Sequence, residues 1–445
     1  MLLETRELHK QSTLQIMQPW AAKSAASGDM IGIEARTMRN ECEPGNVSFD
    51  ETGNRQRVAR LRNAGVLVSS PERVFVGPEV RLDCIESDAV LMNAVVLGEQ
   101  TTVGSQARVG VSGTAVLVNT QVGRAVELGA GSYRQATLLA GAKVRGFAEL
   151  RPGTVLEESA EAGHNVGLKH AFFTTGVVAG SGINFCDVLV TGGSSRQDHT
   201  EIGSGTVHFN FDPHGDKFGS LFGDATGLLL RQPRIFIGGN CGIVAPVHVA
   251  FGAVVAAGTT LRRSVDAHRL YVGEPADSQT GDRQFDPEIY HDLRRKFLNT
   301  ALLAGNLQAF EVWYRVVRLP CAEGLERNLC GGALRHLRLH LEHRASELDK
   351  LLSKLVRGRK TGRKNAFATQ QAMLVKNRRS ILELLTRTKH VSPPAGFVRR
   401  YASARRSLEH PDAIREMPQK IALEAERWLA DMASRPSAEL GRLLR

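Results

Sequence analysis

Between Ile237 and Leu261 an aliphatic residue returns every sixth position, at Ile237, Ile243, Val249, Val255 and Leu261. Small residues and glycines fill the intervals, as in Ile237-Gly238-Gly239 and Val255-Ala256-Ala257-Gly258. A period of six fits neither the 3.6-residue turn of an α-helix nor the two-residue alternation of a flat strand. It fits short strands wound round a triangular prism, the hexapeptide pattern of a parallel β-helix, with one aliphatic side chain per strand pointing inward. The same spacing recurs at Leu97, Val103 and Val109, at Val122 and Leu128, and at Val144, Leu150 and Leu156. These runs predict a prism from about Val74 to about Val272. The period breaks between Thr191 and His199 and between Phe209 and Arg234, where projecting loops are expected, and long loops on a rigid scaffold commonly carry function.

Beyond Pro275 the pattern becomes helical. Leu298, Leu302, Leu303, Leu307, Phe310 and Trp313 share one helix face. Leu334, Leu337, Leu341, Leu348, Leu351, Leu352 and Leu355 form a nearly heptad series into which Arg344 intrudes, the mark of an amphipathic helix with a stripe to bury. Gly331-Gly332 and Ser392-Pro393-Pro394 read as punctuation between helices. Residues 56–63 read as a short lead-in helix. The expected organisation is an irregular N-terminal segment (1–62), a left-handed parallel β-helix (63–275) and a basic α-helical domain (276–445).

Composition sharpens this picture at three points. Aromatics make up only 6% of the 445 residues, which suits a narrow prism interior. Residues 287–445 hold 31 Lys/Arg against 16 Asp/Glu, a net +15, while residues 1–286 carry −4, so the basic character belongs to the helical part alone. No apolar run is long enough to span a bilayer. The charged start MLLETRELHKQST lacks the apolar stretch of a signal peptide. Six cysteines without a CxxC pair or metal-ligand spacing read as reduced, mostly buried thiols, and a cytoplasmic location is expected.

Several motifs carry more specific information. Ala64-Gly65-Val66 with Pro71 just beyond, Leu150-Arg151-Pro152-Gly153, the stretch from Ile202 to Asp212, Val244-Ala245-Pro246-Val247 and Ala256-Ala257-Gly258-Thr259-Thr260 occur in this order. Together they resemble the acetyltransferase domain of the bifunctional N-acetylglucosamine-1-phosphate uridylyltransferase/glucosamine-1-phosphate N-acetyltransferase (GlmU), over residues 63–275. The resemblance implies a homotrimer, acetyl-CoA as acetyl donor and an amino-sugar phosphate as acceptor, in UDP-N-acetylglucosamine biosynthesis. It assigns the sugar phosphate to Arg151, Lys169 and Lys217, a substrate contact to Asn210, and the coenzyme to Ala257, Ser204 and Gly239. The acetyl-transfer half needs no metal, and no uridylyltransferase activity is expected, because no glycine-rich phosphate loop follows a strand in residues 1–62.

Four positions depart from the family pattern. The catalytic base position is Ser181, and the acidic residue that would support it is Gly167. The sugar-contacting tyrosine position is Asn184, and an asparagine position is Glu201. A serine is no general base near neutral pH without its own activator. Among His164, His170, His199, His208 and His214, those neighbouring a family motif are His208 and His170, and these two are the candidate bases. The alternative reading is a non-catalytic trimeric scaffold or sugar-nucleotide binder.

Two further features have simpler readings beside sharper ones. His336, His340 and His343 share a helix face and could ligate a metal, yet no carboxylate or cysteine completes the set apart from Glu342, which points elsewhere, so a solvated polar face and no metal site are expected. The run Lys354–Lys364 is a basic patch for an anionic partner or a solvated inter-helix loop.

Overall fold

The computed structural model describes residues 50–207, 215–273, 290, 292–359, 368–389 and 391–445. Residues 55–445 form one compact unit. Helix α1 (Glu51–Asn63) buries Val58 and Leu61 and leads into a parallel β-helix of about eleven coils. The first face is an eleven-stranded parallel stack running from Leu67–Val68 to Leu270–Tyr271. Ile237, Ile243, Val249, Val255 and Leu261 all point inward with at most 1% of their surface exposed, and they come from successive faces of the prism. The six-residue period is the count of residues per face.

The other two faces are joined through two long strands, Gly167–Phe173 and Ile183–Val190, which run across a corner of the prism. The first half of each pairs within the second face and the second half within the third. The turn is made by a column of left-handed residues: Asn119 (φ 50°), Gln135 (46°), Gly153 (82°), His170 (46°) and Asp187 (59°). For residues with a side chain this conformation is uncommon and held only by its surroundings.

Eight helices are described. After α1 come α2 (Leu293–Trp313), α3 (Gly324–Arg359), α4 (Ala368–Lys376), α5 (Arg378–Thr386), α6 (Ala395–Ala404), α7 (His410–Arg415) and α8 (Gln419–Leu443). The helices do not stand apart from the prism. Leu139, Val155, Phe172, Leu189 and Leu221, which point outward from its third face, share one core with α2 and α3. Phe172 meets Phe310 edge-on with ring centres 5.1 Å apart. Asn306 of α2 caps the Ala225 amide at 2.7 Å. At roughly 1.5–3 kcal/mol per fully buried large side chain, this seam contributes substantially to stability.

Three sequence expectations change here. Gly331-Gly332 does not end a helix but lies inside α3, and Gly332 packs directly on the prism: a Cβ there would sit 2.4 Å from Thr137 Oγ1 and 2.6 Å from Gln121 Oε1. The interruption after Phe209 is not all loop, because Ser220–Phe222 returns to pair in parallel with Val188–Val190. Lys354–Arg359 continues α3 rather than forming a loop, and the remainder of that basic run lies outside the described residues. No described helix is long and apolar enough to cross a membrane.

Candidate functional site

Each coil of the prism adds 17 or 18 residues here, so side chains that far apart in sequence stack. Tyr133, Leu150 and Leu168 are in register. The next residue of each strand is therefore aligned as well, which places Arg134, Arg151 and Lys169 in one column, followed by Cys186, the direct partner of Lys169. Parallel strands stand about 4.8 Å apart, so three cations rise along one edge of the second face. Compensation for them is thin. Arg134 Nε donates to Ser132 Oγ at 3.2 Å. Arg151 Nη2 reaches Cys186 Sγ at 3.5 Å, and Glu149 Oε2 lies 3.7 Å from Arg151 Nε. That Nε is buried without a hydrogen bond, and burial raises the Cys186 thiol pKa, so the thiol stays neutral. Lys169 is half-buried and carries no ion pair among the described residues.

The opposite edge of the same face carries Ser181, Ser204 and Gly239 on successive coils, with Ala257 and Gly258 on the next. Ser204 Oγ accepts from the Asn240 amide at 2.8 Å, and Gly258 N donates to Gly239 O at 2.9 Å. Ser181 is exposed, and its hydroxyl accepts from the His164 amide at 3.1 Å. Asn184 stands exposed between the edges, in register with Gly167 and Glu149. The second face thus carries a cationic edge, a polar middle and a small-residue edge.

The chain is similar to GlmU. It is 30% identical over 217 residues to the bifunctional protein GlmU of Pseudomonas putida (strain F1) and to that of Pseudomonas entomophila, covering 48% of this chain and 42% of each relative. Against the bifunctional protein GlmU of Sorangium cellulosum it is 30% identical over 252 residues, 55% of this chain and 46% of that relative. The chain spans about half the length of the curated relatives it matches. No protein-family profile matches it.

Against the expected GlmU-like set, the structure joins some residues and separates others. Arg151 and Lys169 are neighbours in the column. Lys217 is exposed, and its carbonyl lies 3.5 Å from Arg344 Nη1, near the corner at Asp187. Ser204, Gly239 and Ala257 share the far edge. Asn210 and His208 lie outside the described residues.

His170, the second candidate base, lies beneath α3. Only 5% of its surface is exposed, under α3, with Nδ1 3.2 Å from Asp187 Oδ1 and its ring 4.2 Å from that of His343. Burial lowers its pKa, so it is neutral at pH 7, but it does not open onto the face where Arg151 and Lys169 stand.

The histidine face of α3 is likewise not solvated. His336 and His340 are buried against the prism, and Arg344, the intruder in the leucine series, bonds Asp187 Oδ1 at 2.5 Å. The prism supplies Asp187 to receive the Arg344 guanidinium, while the Nε2 atoms of His336 and His340 are buried without a hydrogen bond.

Two features escaped the sequence reading. Arg134 was findable, since it lies 17 residues before Arg151 and one coil is 17 or 18 residues long. The buried ionic cluster was not: Arg318 pairs with Glu158 and lies 3.7 Å from Glu157, which accepts from the Tyr314 hydroxyl at 2.6 Å and from the Thr175 amide at 3.1 Å. Nothing in the sequence pairs residues about 160 positions apart.

Proposed function

We propose that the chain is a hexapeptide-repeat acyltransferase of the GlmU kind, transferring acetyl from acetyl-CoA to the amine of an amino-sugar phosphate. The observation that carries this reading is the column Arg134, Arg151 and Lys169. Stacked like charges repel, and a phosphate laid along them relieves that repulsion through charge-assisted hydrogen bonds. The Arg151 side chain is 32% exposed and has only Glu149, at 3.7 Å, as a counter-charge among the described residues, so its guanidinium can meet such an anion. Ser204, Gly239 and Ala257 on the small-residue edge leave room for the coenzyme.

In the reaction the amine nitrogen attacks the thioester carbonyl. The C–N bond forms, the C–S bond breaks, the amine proton passes to a base and the thiol of coenzyme A leaves. Holding the two substrates together supplies part of the rate. Ser181 has no activating partner among the described residues and His170 is buried, and we assign the base role to His208. We extend the reading to a cytoplasmic homotrimer. Phe236, Val254 and Leu270, exposed at one end of the first face, suit subunit packing. The +15 charge of residues 287–445 suits an anionic partner.

One observation favours a second reading, a non-catalytic sugar-phosphate binder or scaffold: serine stands at the base position while His170 is sealed beneath α3. Free-thiol release from acetyl-CoA with glucosamine 1-phosphate separates the two. The acyltransferase reading expects release that falls sharply in His208→Ala and little in Ser181→Ala. Binding of the sugar phosphate without release would establish the binder instead.

A further inference from the structure

The seam between prism and helices holds a group of side chains that the proposed reaction does not use. The structure assigns to His170, Asp187 and His343 a divalent metal site of the zinc class, joining α3 to the corner of the β-helix. The helix alone offers histidines without an acid, since Glu342 turns to Arg338 at 3.5 Å. The prism supplies the acid and a further imidazole from two adjacent coils.

The geometry is that of a ligand set. His170 Nδ1 and His343 Nε2 lie 3.2 and 3.5 Å from Asp187 Oδ1, and one ligating atom from each of the three residues falls within 4.8 Å of the others. A tetrahedral zinc with bonds of about 2.1 Å needs ligand–ligand edges of about 3.4 Å. His170 and Asp187 both stand in left-handed conformations in the corner column, on adjacent coils of the prism. His340 stands edge-on to His170 with ring centres 5.3 Å apart, and its Nε2 is buried without a hydrogen bond.

Nitrogen-rich ligation selects zinc or cobalt over magnesium or calcium. Imidazole ligates a metal in its neutral form. Arg344 balances Asp187 in the metal-free protein, and on loading it shares the carboxylate while keeping its contact to the Lys217 carbonyl.

The test uses the full chain stripped with chelator and titrated with Zn²⁺ alone by calorimetry, with Co²⁺ absorption as a second readout. One equivalent should bind, Co²⁺ should give visible d–d bands of low-coordinate N/O type, and Zn²⁺ should raise the thermal midpoint. His343→Gln changes the most exposed of the three ligands, at 21% of its side chain, and should leave the fold intact by circular dichroism. It should weaken binding by more than the roughly 10–100-fold that an outer-shell change costs, and Asp187→Asn should do the same. No binding by the wild type, or undiminished binding by folded His343→Gln, would overturn the site. Neither result depends on acetyl transfer.

Discussion

Gly331 and Gly332 are adjacent in α3, yet alanine should act on them with opposite sign. In a helix interior, glycine to alanine gains about 0.5–1 kcal/mol from reduced backbone freedom in the unfolded chain. At Gly331 nothing opposes this gain, because the nearest atom to a new Cβ is the flexible end of Arg335 at 3.7 Å. At Gly332 the new Cβ would enter the space of Thr137 Oγ1 and Gln121 Oε1, which are buried and hydrogen-bonded to each other at 2.8 Å. Overpacking costs about 1–3 kcal/mol, and disturbing that bond about 1 kcal/mol more. After the helix gain is subtracted, Gly332→Ala should destabilise by about 1–3 kcal/mol, leaving the neighbours about 2–4 kcal/mol apart. Denaturant midpoints by far-UV circular dichroism, in chelator, measure the difference. A Gly332→Ala protein as stable as Gly331→Ala would show that α3 does not seat on the prism at this point.

Arg318→Met should cost about 3–5 kcal/mol, because it leaves Glu157 and Glu158 buried without their cation; urea midpoints read this, and a cost under 1 kcal/mol would contradict the burial. In metal-free protein, acid should destabilise the fold from about pH 6.5 downward. Burial lowers the His336 pKa from 6.5 to about 3 and that of His410 well below 6.5, so the unfolded chain binds protons first as pH falls. Glu157, raised by burial, acts in the opposite sense above pH 4.5, so the loss should steepen below that pH. His336→Leu should move the acid midpoint to lower pH, and an unchanged midpoint would remove His336 from the account. Gly167→Glu with Ser181→His should raise thiol release: a Cβ at Gly167 meets only Asn184 Oδ1, at 3.4 Å, and Ser181 is exposed. No increase in a folded double variant would mean that position 181 does not face the acceptor amine.

The prism was legible because its interior repeats. Ile237 to Leu261 declares six residues per face, and no other regular structure uses that period. Arg151 and Lys169 were legible as motif positions, and their stacking follows from coil length. Burial at the seam was not legible. His336, His340 and Arg344 look like a polar face when α3 is read alone, and Gly332 looks like a break. Gly332 becomes intelligible only against Gln121 and Thr137, and Arg344 only against Asp187, which lie far away in sequence. Local patterns report which face of an element is apolar, but not which polar side chains a distant partner will satisfy.

The central claim is an anion site for a sugar phosphate along the cationic edge of the second face. Calorimetric titration with glucosamine 1-phosphate, against glucosamine as control, tests it most directly. The account predicts binding that requires the phosphate and weakens about ten- to a hundredfold in Arg151→Gln and in Lys169→Gln, as expected for loss of one charge-assisted contact of about 1.5–3 kcal/mol. Binding of neither compound, or binding indifferent to both substitutions, would contradict it.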